Sequence, residues 1–207
     1  MLRVLLALAL LCWSPGALAQ DDGRTRLAEY GRLVQQMQAR AARNAWDGVE
    51  RSYQALKETG IPLTADEHHI GAQAASHRGD LATTRERLEA ALGVLAEPEY
   101  REWIARIEEG YGPVSMRGDP GRVSLEREET PFDRTQARAI AFAKEQVEET
   151  GTFEGLLPAG EYTFGSVSVR VRPGVQTQRI DIRSDRYMRR LERVERRESR
   201  QEEGEGS

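Results

Sequence analysis

The chain is short of sulfur, lysine and aromatic rings. Among 207 residues there is one cysteine, Cys12, and the basic side chains are 28 arginines against two lysines, Lys57 and Lys144. Aromatic residues make up only 6% of the sequence. A single cysteine excludes an intrachain disulfide framework and any site built from several thiolates. An excess of positive charge is also missing: 30 basic residues meet 34 acidic ones, for a formal net charge of −4. That balance lacks the basic footprint needed to displace counterions from phosphates, so no nucleic-acid partner is expected. Charged residues at 31% and a single long apolar run, Val4 to Trp13, exclude a multi-pass membrane protein. The hydrophobic content of 39% still suffices for a packed core.

What is present begins with an export signal. Met1-Leu2-Arg3 is a positive start, Val4 to Trp13 an apolar centre, and Ala17-Leu18-Ala19 a small-x-small cleavage site. Ten apolar residues span about 15 Å as a helix, half a bilayer core, so no integral membrane anchor is expected. Cleavage between Ala19 and Gln20 removes residues 1–19, Arg3 and the only thiol, leaving a net charge of −5. A lipoprotein would need a small residue before Cys12, where Leu10-Leu11 stand instead. A buried N-terminal helix is the other alternative. An exported chain without disulfides fits a bacterial periplasm or cell surface, so a periplasmic or secreted location is expected.

From Arg24 to Glu109 the hydrophobic period is helical. Leu27, Tyr30, Val34, Met37 and Ala41 form one stripe, and Trp46, Val49, Tyr53 and Leu56 a second, with Asn44 as its N-cap. Thr64 opens a third helix that ends at Arg78-Gly79. Asp80 caps a fourth with Leu81, Thr84, Leu88, Ala91, Leu92 and Leu95. Pro98 starts a fifth carrying Tyr100, Trp103, Ile104 and Ile107. Sliding the chain by 35 residues superposes Trp46 on Leu81, Val49 on Thr84, Tyr53 on Leu88 and Leu56 on Ala91. The segment Arg78-Gly79-Asp80-Leu81 with Thr84, Leu88, Ala91-Leu92 and Pro98, together with the small residues Ala72 and Ala75, resembles the tetratricopeptide repeat (TPR), whose period is about 34 residues. No Trp-Leu-Gly-Tyr run marks either first helix, and Gln36-Met37 stand where that family has small residues. An ordinary helical bundle with a coincidental period is the alternative. The resemblance implies an antiparallel helical array over residues 20–109 that binds a protein or peptide along its first helices. On that alignment Asp66, His69, Gln73 and His77 are the candidate groove residues.

After Gly110 the pattern shifts to turns and alternating runs. Val114-Ser115-Met116 and Val123-Ser124-Leu125 are short strand candidates around Gly118-Asp119-Pro120-Gly121, and 131–149 returns to helix with Ala137, Ile140, Lys144 and Val147 on one side. Tyr162 and Phe164 alternate with polar residues, Gly165-Ser166 suits a two-residue turn, and Val167, Val169 and Val171 share the next strand face, with Ile180 and Ile182 on a last strand. The run Phe153-x-Gly155-Leu156-Leu157-Pro158-Ala159-Gly160-Glu161-Tyr162 resembles the final hairpin of small prealbumin-like sandwiches such as the PEGA and carboxypeptidase-regulatory-like families. It implies that Leu-Pro-x-Gly-x-Tyr reverses a strand and puts the tyrosine in the core. The expected fold is therefore α+β in two domains: an antiparallel α-helical repeat over 20–109 and a small antiparallel β-sandwich over 110–183 with an inserted helix at 131–149. Residues 184–207 are expected as an arginine- and glutamate-rich tail, helical or disordered, which is either a frayed charged end or a docking arm for anionic envelope polymers or a partner.

Catalytic signatures are scarce. There is no Gly-x-Ser-x-Gly elbow and no phosphate-cradling glycine loop, and the only cysteine leaves with the signal. Ser166 and Ser168 lie far in sequence from any histidine, and Glu154 and Glu161 read as surface strand carboxylates. His69 and His77 stand eight residues apart, roughly 12 Å on a helix, too far to share one metal ion without Gln73. No metal, cofactor or catalytic residue is expected. The expected function is an exported, non-enzymatic adaptor, with a cell-wall or carbohydrate-binding module on the β region as the alternative.

Overall fold

Local hydrogen bonds set the helix limits. In the computed structural model, which describes residues 16–127, 132–174 and 176–183, five helices come first: α1 (Gly16–Ala41), α2 (Trp46–Glu58), α3 (Ala65–Arg78), α4 (Leu81–Val94) and α5 (Pro98–Gly110). Thr64 and Glu67 close a reciprocal capping box at the start of α3, and the Asp80 carboxylate accepts the Thr83 N–H at the start of α4. Pro98 occupies the first turn of α5.

Asn44 does not cap α2. Ala45 holds that position with no side-chain bond, and Asn44 sits at φ +56 as the left-handed residue that closes α1. The Ala45 N–H donates to the Arg40 carbonyl and the Asn44 N–H to that of Ala41. The α3–α4 turn repeats this arrangement 35 positions later, with Asp80 donating to Ala75, Gly79 to Ser76, and Gly79 at φ +91. Burial follows the same offset: Val49, Tyr53 and Leu56 on α2 and Thr84, Leu88 and Ala91 on α4 are all buried. The α1 stripe is shorter than its sequence pattern. Leu33 and Met37 are buried, but Leu27 is 64% exposed and takes no part in the apolar cluster of α1, α2 and α3. Leu95 likewise lies half exposed beyond the end of α4.

Helix α5 passes straight into strand β1 (Tyr111–Arg117), followed by β2 (Leu125–Arg127), α6 (Arg134–Thr150), β3 (Thr152–Pro158), β4 (Gly160–Phe164), β5 (Val167–Val171) and β6 (Gln178–Asp181). The described chain is thus α+β, with two three-stranded sheets ordered β3-β1-β6 and β2-β4-β5. The sheets are mostly antiparallel. The exception is β6, which lies parallel to β1 with Val114 opposite Gln178 and Met116 opposite Ile180. The expected all-antiparallel arrangement fails here, because alternation of side chains specifies a face but not a direction. Pro158-Ala159-Gly160 carries the chain from one sheet to the other rather than reversing it within one. The Ala159 N–H donates to the Gly110 carbonyl, and the buried Tyr162 hydroxyl donates to that of Pro158 at 2.8 Å. The hairpin proper is β4–β5, with Phe164 opposite Val167 across Gly165-Ser166.

Helix α6 joins the two regions. Ile140, Ala143 and Val147 pack into the apolar cluster shared by both sheets, whereas Ala139 belongs to the cluster of α3, α4 and α5. The buried face is therefore rotated from the sequence stripe: Ala137 is exposed, and Lys144 reaches out to the Glu126 carboxylate at 2.7 Å. No helix among the described residues is long and apolar enough to cross a membrane. The apolar run at 4–13, expected as the centre of an export signal, and the charged tail at 184–207 lie outside the described residues, while the Ala19–Gln20 bond falls in the opening turns of α1.

Candidate functional site

Helix α3 carries all four candidate groove residues, and its own anchoring determines where they point. The Glu67 carboxylate accepts the Thr64 N–H at 2.7 Å and the Tyr30 hydroxyl at 2.6 Å, tying the start of α3 to α1. Burial and the Glu67 charge both hold the Tyr30 phenol above its ordinary range, so it stays a donor. Residues 66, 69, 73 and 77 then fall three and four apart along one side of the helix.

Three of the four stay together. Asp66 is exposed, and the His69 ring lies 5.1 Å from that of Tyr100 and 5.9 Å from that of Trp103, the latter edge-on. Gln73 Nε2 is 3.4 Å from His69 Nε2. Tyr100 is buried, and burial raises its phenol pKa, reinforced by the charges of Asp66, Glu97 and Glu99. A strip of polar and aromatic groups thus follows the α3–α5 seam, its rings seated on the core and its polar atoms partly open to water.

His77 departs from this strip. Its ring stacks on Trp46 at 4.1 Å with 12° between planes, and its Nδ1 accepts from Arg138 Nη1 at 3.1 Å. Arginine can only donate, so Nδ1 carries no proton and the ring is neutral. Burial and the neighbouring Arg138 charge both lower the His77 pKa, consistent with that state. His77 is held where α2, α3 and α6 meet. On the other side of α3, His68 Nδ1 lies 3.0 Å from the Tyr53 hydroxyl and is likewise lowered, mainly by burial.

A buried ion pair between α2 and α4 has no counterpart in the sequence reading. Arg87 on α4 donates through Nη1 and Nη2 to both Glu50 oxygens at 2.6 and 2.8 Å, donates again to the Gly71 carbonyl at 2.8 Å, and lies 4.1 Å from the centre of the Tyr53 ring. Burial alone would raise the Glu50 pKa, but hydrogen bonds from Arg87 and Gln54 and the charges of Arg87 and Arg78 pull it to about 2. Gly71 admits this packing, since a Cβ there would stand 2.5 Å from the Tyr53 ring. Glu50 is a permanent anion at neutral pH and serves to join α2, α3 and α4. The sole sequence signal is an arginine at a position whose helical neighbours Thr84, Leu88 and Ala91 are core residues.

Among the described residues no group of three His, Cys, Asp or Glu side chains converges as a metal-ligand set. Glu154 lies on β3 of one sheet and Glu161 on β4 of the other, where it pairs with Arg170 at 3.3 Å. Ser166 and Ser168 are exposed on the β4–β5 hairpin. No family model matches the chain, and comparison with curated proteins and with solved structures found no match.

Proposed function

We propose that this protein is an exported, non-enzymatic adaptor whose TPR-like helices grip a segment of a partner protein of the cell envelope. The observation that carries the reading is the α3–α5 strip. Asp66, His69 and Gln73 offer a charge, an imidazole and an amide beside the partly exposed Trp103, and the contacts of His69 with Tyr100 and Trp103 hold these groups on two helices. Polar side chains flanking seated aromatic rings suit an extended polypeptide, which brings both backbone hydrogen-bonding groups and apolar side chains. The 35-residue correspondence of turns and buried positions between α1–α2 and α3–α4 supports the repeat reading. Placement in the periplasm or outside the cell rests on the leader-like residues 1–19. His77, closed in by Trp46 and Arg138, is assigned to the support of α3 and not to the strip.

The test is in-cell photo-crosslinking of the full chain, with the photoreactive residue at Gln73 or, as control, at exposed Glu86 on α4. A discrete polypeptide adduct at Gln73, absent at Glu86 and lost in Trp103→Ala, is the expected result. Equal adducts at both positions, or retention of the chain on purified cell-wall polymer unaffected by Trp103→Ala, would overturn it.

A further inference from the structure

The sheet formed by β2, β4 and β5 ends in a cleft that is separate from the α3–α5 strip. It encloses about 410 Å³ and is walled by Arg127 at the end of β2, by Gly160 and Glu161 at the start of β4, and by Arg170, Arg172 and Pro173 at the end of β5. Among the described residues, three guanidinium groups and one carboxylate line it, an excess of two positive charges.

Arg127 is the fixed member. Its Nη2 donates to the Ala159 carbonyl at 3.2 Å, and its guanidinium carbon lies 5.5 Å from the centre of the Tyr162 ring. Among the described residues, the buried Nη1 has no hydrogen-bond partner. A buried charged donor without an acceptor is costly, and native structures keep few of them. Gly160 borders the same group: at φ +154 it has a conformation that side-chain-bearing residues rarely adopt, and a Cβ would stand 3.1 Å from Arg127 Nη2. The other two arginines are exposed. Arg170 pairs with Glu161 at 3.3 Å in solvent, a contact that competes little with an entering anion, and Arg172 makes no ion pair among the described residues.

We propose that this cleft binds a dianionic phosphate group. The excess of two positive charges among the described lining residues matches a dianion, whereas a lone carboxylate would leave one charge unmet. The planar forks of arginine present paired N–H groups at the spacing of phosphate oxygens. The phosphate can be free or the terminal group of a phosphate ester, since the chemistry of recognition is the same. The site neither requires nor contradicts polypeptide binding at α3.

The experiment is calorimetric titration of the full chain at about pH 7.5, where a monoester with a second pKa of about 6 is a dianion. Inorganic phosphate, glycerol 2-phosphate and acetate are compared at matched ionic strength. Saturable one-to-one binding of either phosphate is expected, and the tighter of the two identifies the source. Arg172→Gln should weaken it about tenfold, the loss of one charge-assisted contact of about 1.4 kcal/mol, and Glu161→Gln should strengthen it. Arg127→Gln should abolish it. Because Arg127 also supports the sheet, the exposed Arg172→Gln variant is the deciding one. Absence of saturable phosphate binding up to about 10 mM (free energies weaker than about −3 kcal/mol), acetate binding as tightly as phosphate, or an unchanged affinity in Arg172→Gln would each overturn the proposal.

Discussion

Arg87 ties α2, α3 and α4 together through one side chain. Its guanidinium satisfies the Glu50 carboxylate, the Gly71 carbonyl and the face of Tyr53 at once. Truncation to alanine leaves the half-buried Glu50 carboxylate with only the Gln54 amide and the more distant Arg78, so Arg87→Ala should cost about 3 kcal/mol, measured by urea unfolding. The pair also has a pH signature. Glu50 lies near 2 in the folded chain against an ordinary 4.5, so its contribution is complete above about pH 4.5 and is lost as the pH falls toward 2. Urea midpoints across that window should fall less steeply in Glu50→Gln than in the wild type. Equal slopes would mean that Glu50 does not carry the acid sensitivity. Neither partner could be paired from the sequence. Glu50 and Arg87 are 37 positions apart, and the chain has 28 arginines and many carboxylates from which to choose.

Two turns of equal geometry should respond differently at the scale of elements. Asn44 and Gly79 both close a helix in the left-handed region, 35 positions apart, but only Gly79 is covered. A Cβ at Gly79 would stand 2.3 Å from the Arg138 carbonyl of α6. Asn44→Gly should therefore raise stability by about 0.5 kcal/mol by relieving a left-handed side-chain residue. Gly79→Ala should lower stability by about 2 kcal/mol or more, since conformation and packing both oppose it. Thermal melts of the two variants are the measurement, and a neutral Gly79→Ala would mean that α6 does not lie over that turn. The caps at Thr64, Asp80 and Pro98 were legible because their hydrogen bonds and steric limits reach only three residues along the chain. The position of Asn44 was not, because the same residue type serves an N-cap and a left-handed C-terminus.

For the whole molecule the decisive element is α6, with Ala139 in the helical core and Ile140, Ala143 and Val147 in the core of the sheets. A region of roughly 90 helical residues beside a β region of roughly 70 reads from the sequence as two modules, each small enough that burial is marginal. A shared helix couples them, so the slowest amides of α3 and of β4 should report the same opening free energy in native-state hydrogen exchange. Clearly different values would mean that the halves unfold separately. The sequence by itself determined the α+β class, the order of elements, most helix limits and the residues that could line a face of α3, because hydrophobic period, caps and turn residues act between near neighbours. Only the tertiary structure decided that β6 runs parallel to β1, that Leu27 stays exposed, and that Arg87 finds Glu50. It also separated the α3 residues, setting His69 and Gln73 beside Tyr100 and Trp103 and closing His77 between Trp46 and Arg138. Those choices join residues tens of positions apart, where many partners have the right chemistry and only shape and chain geometry select among them.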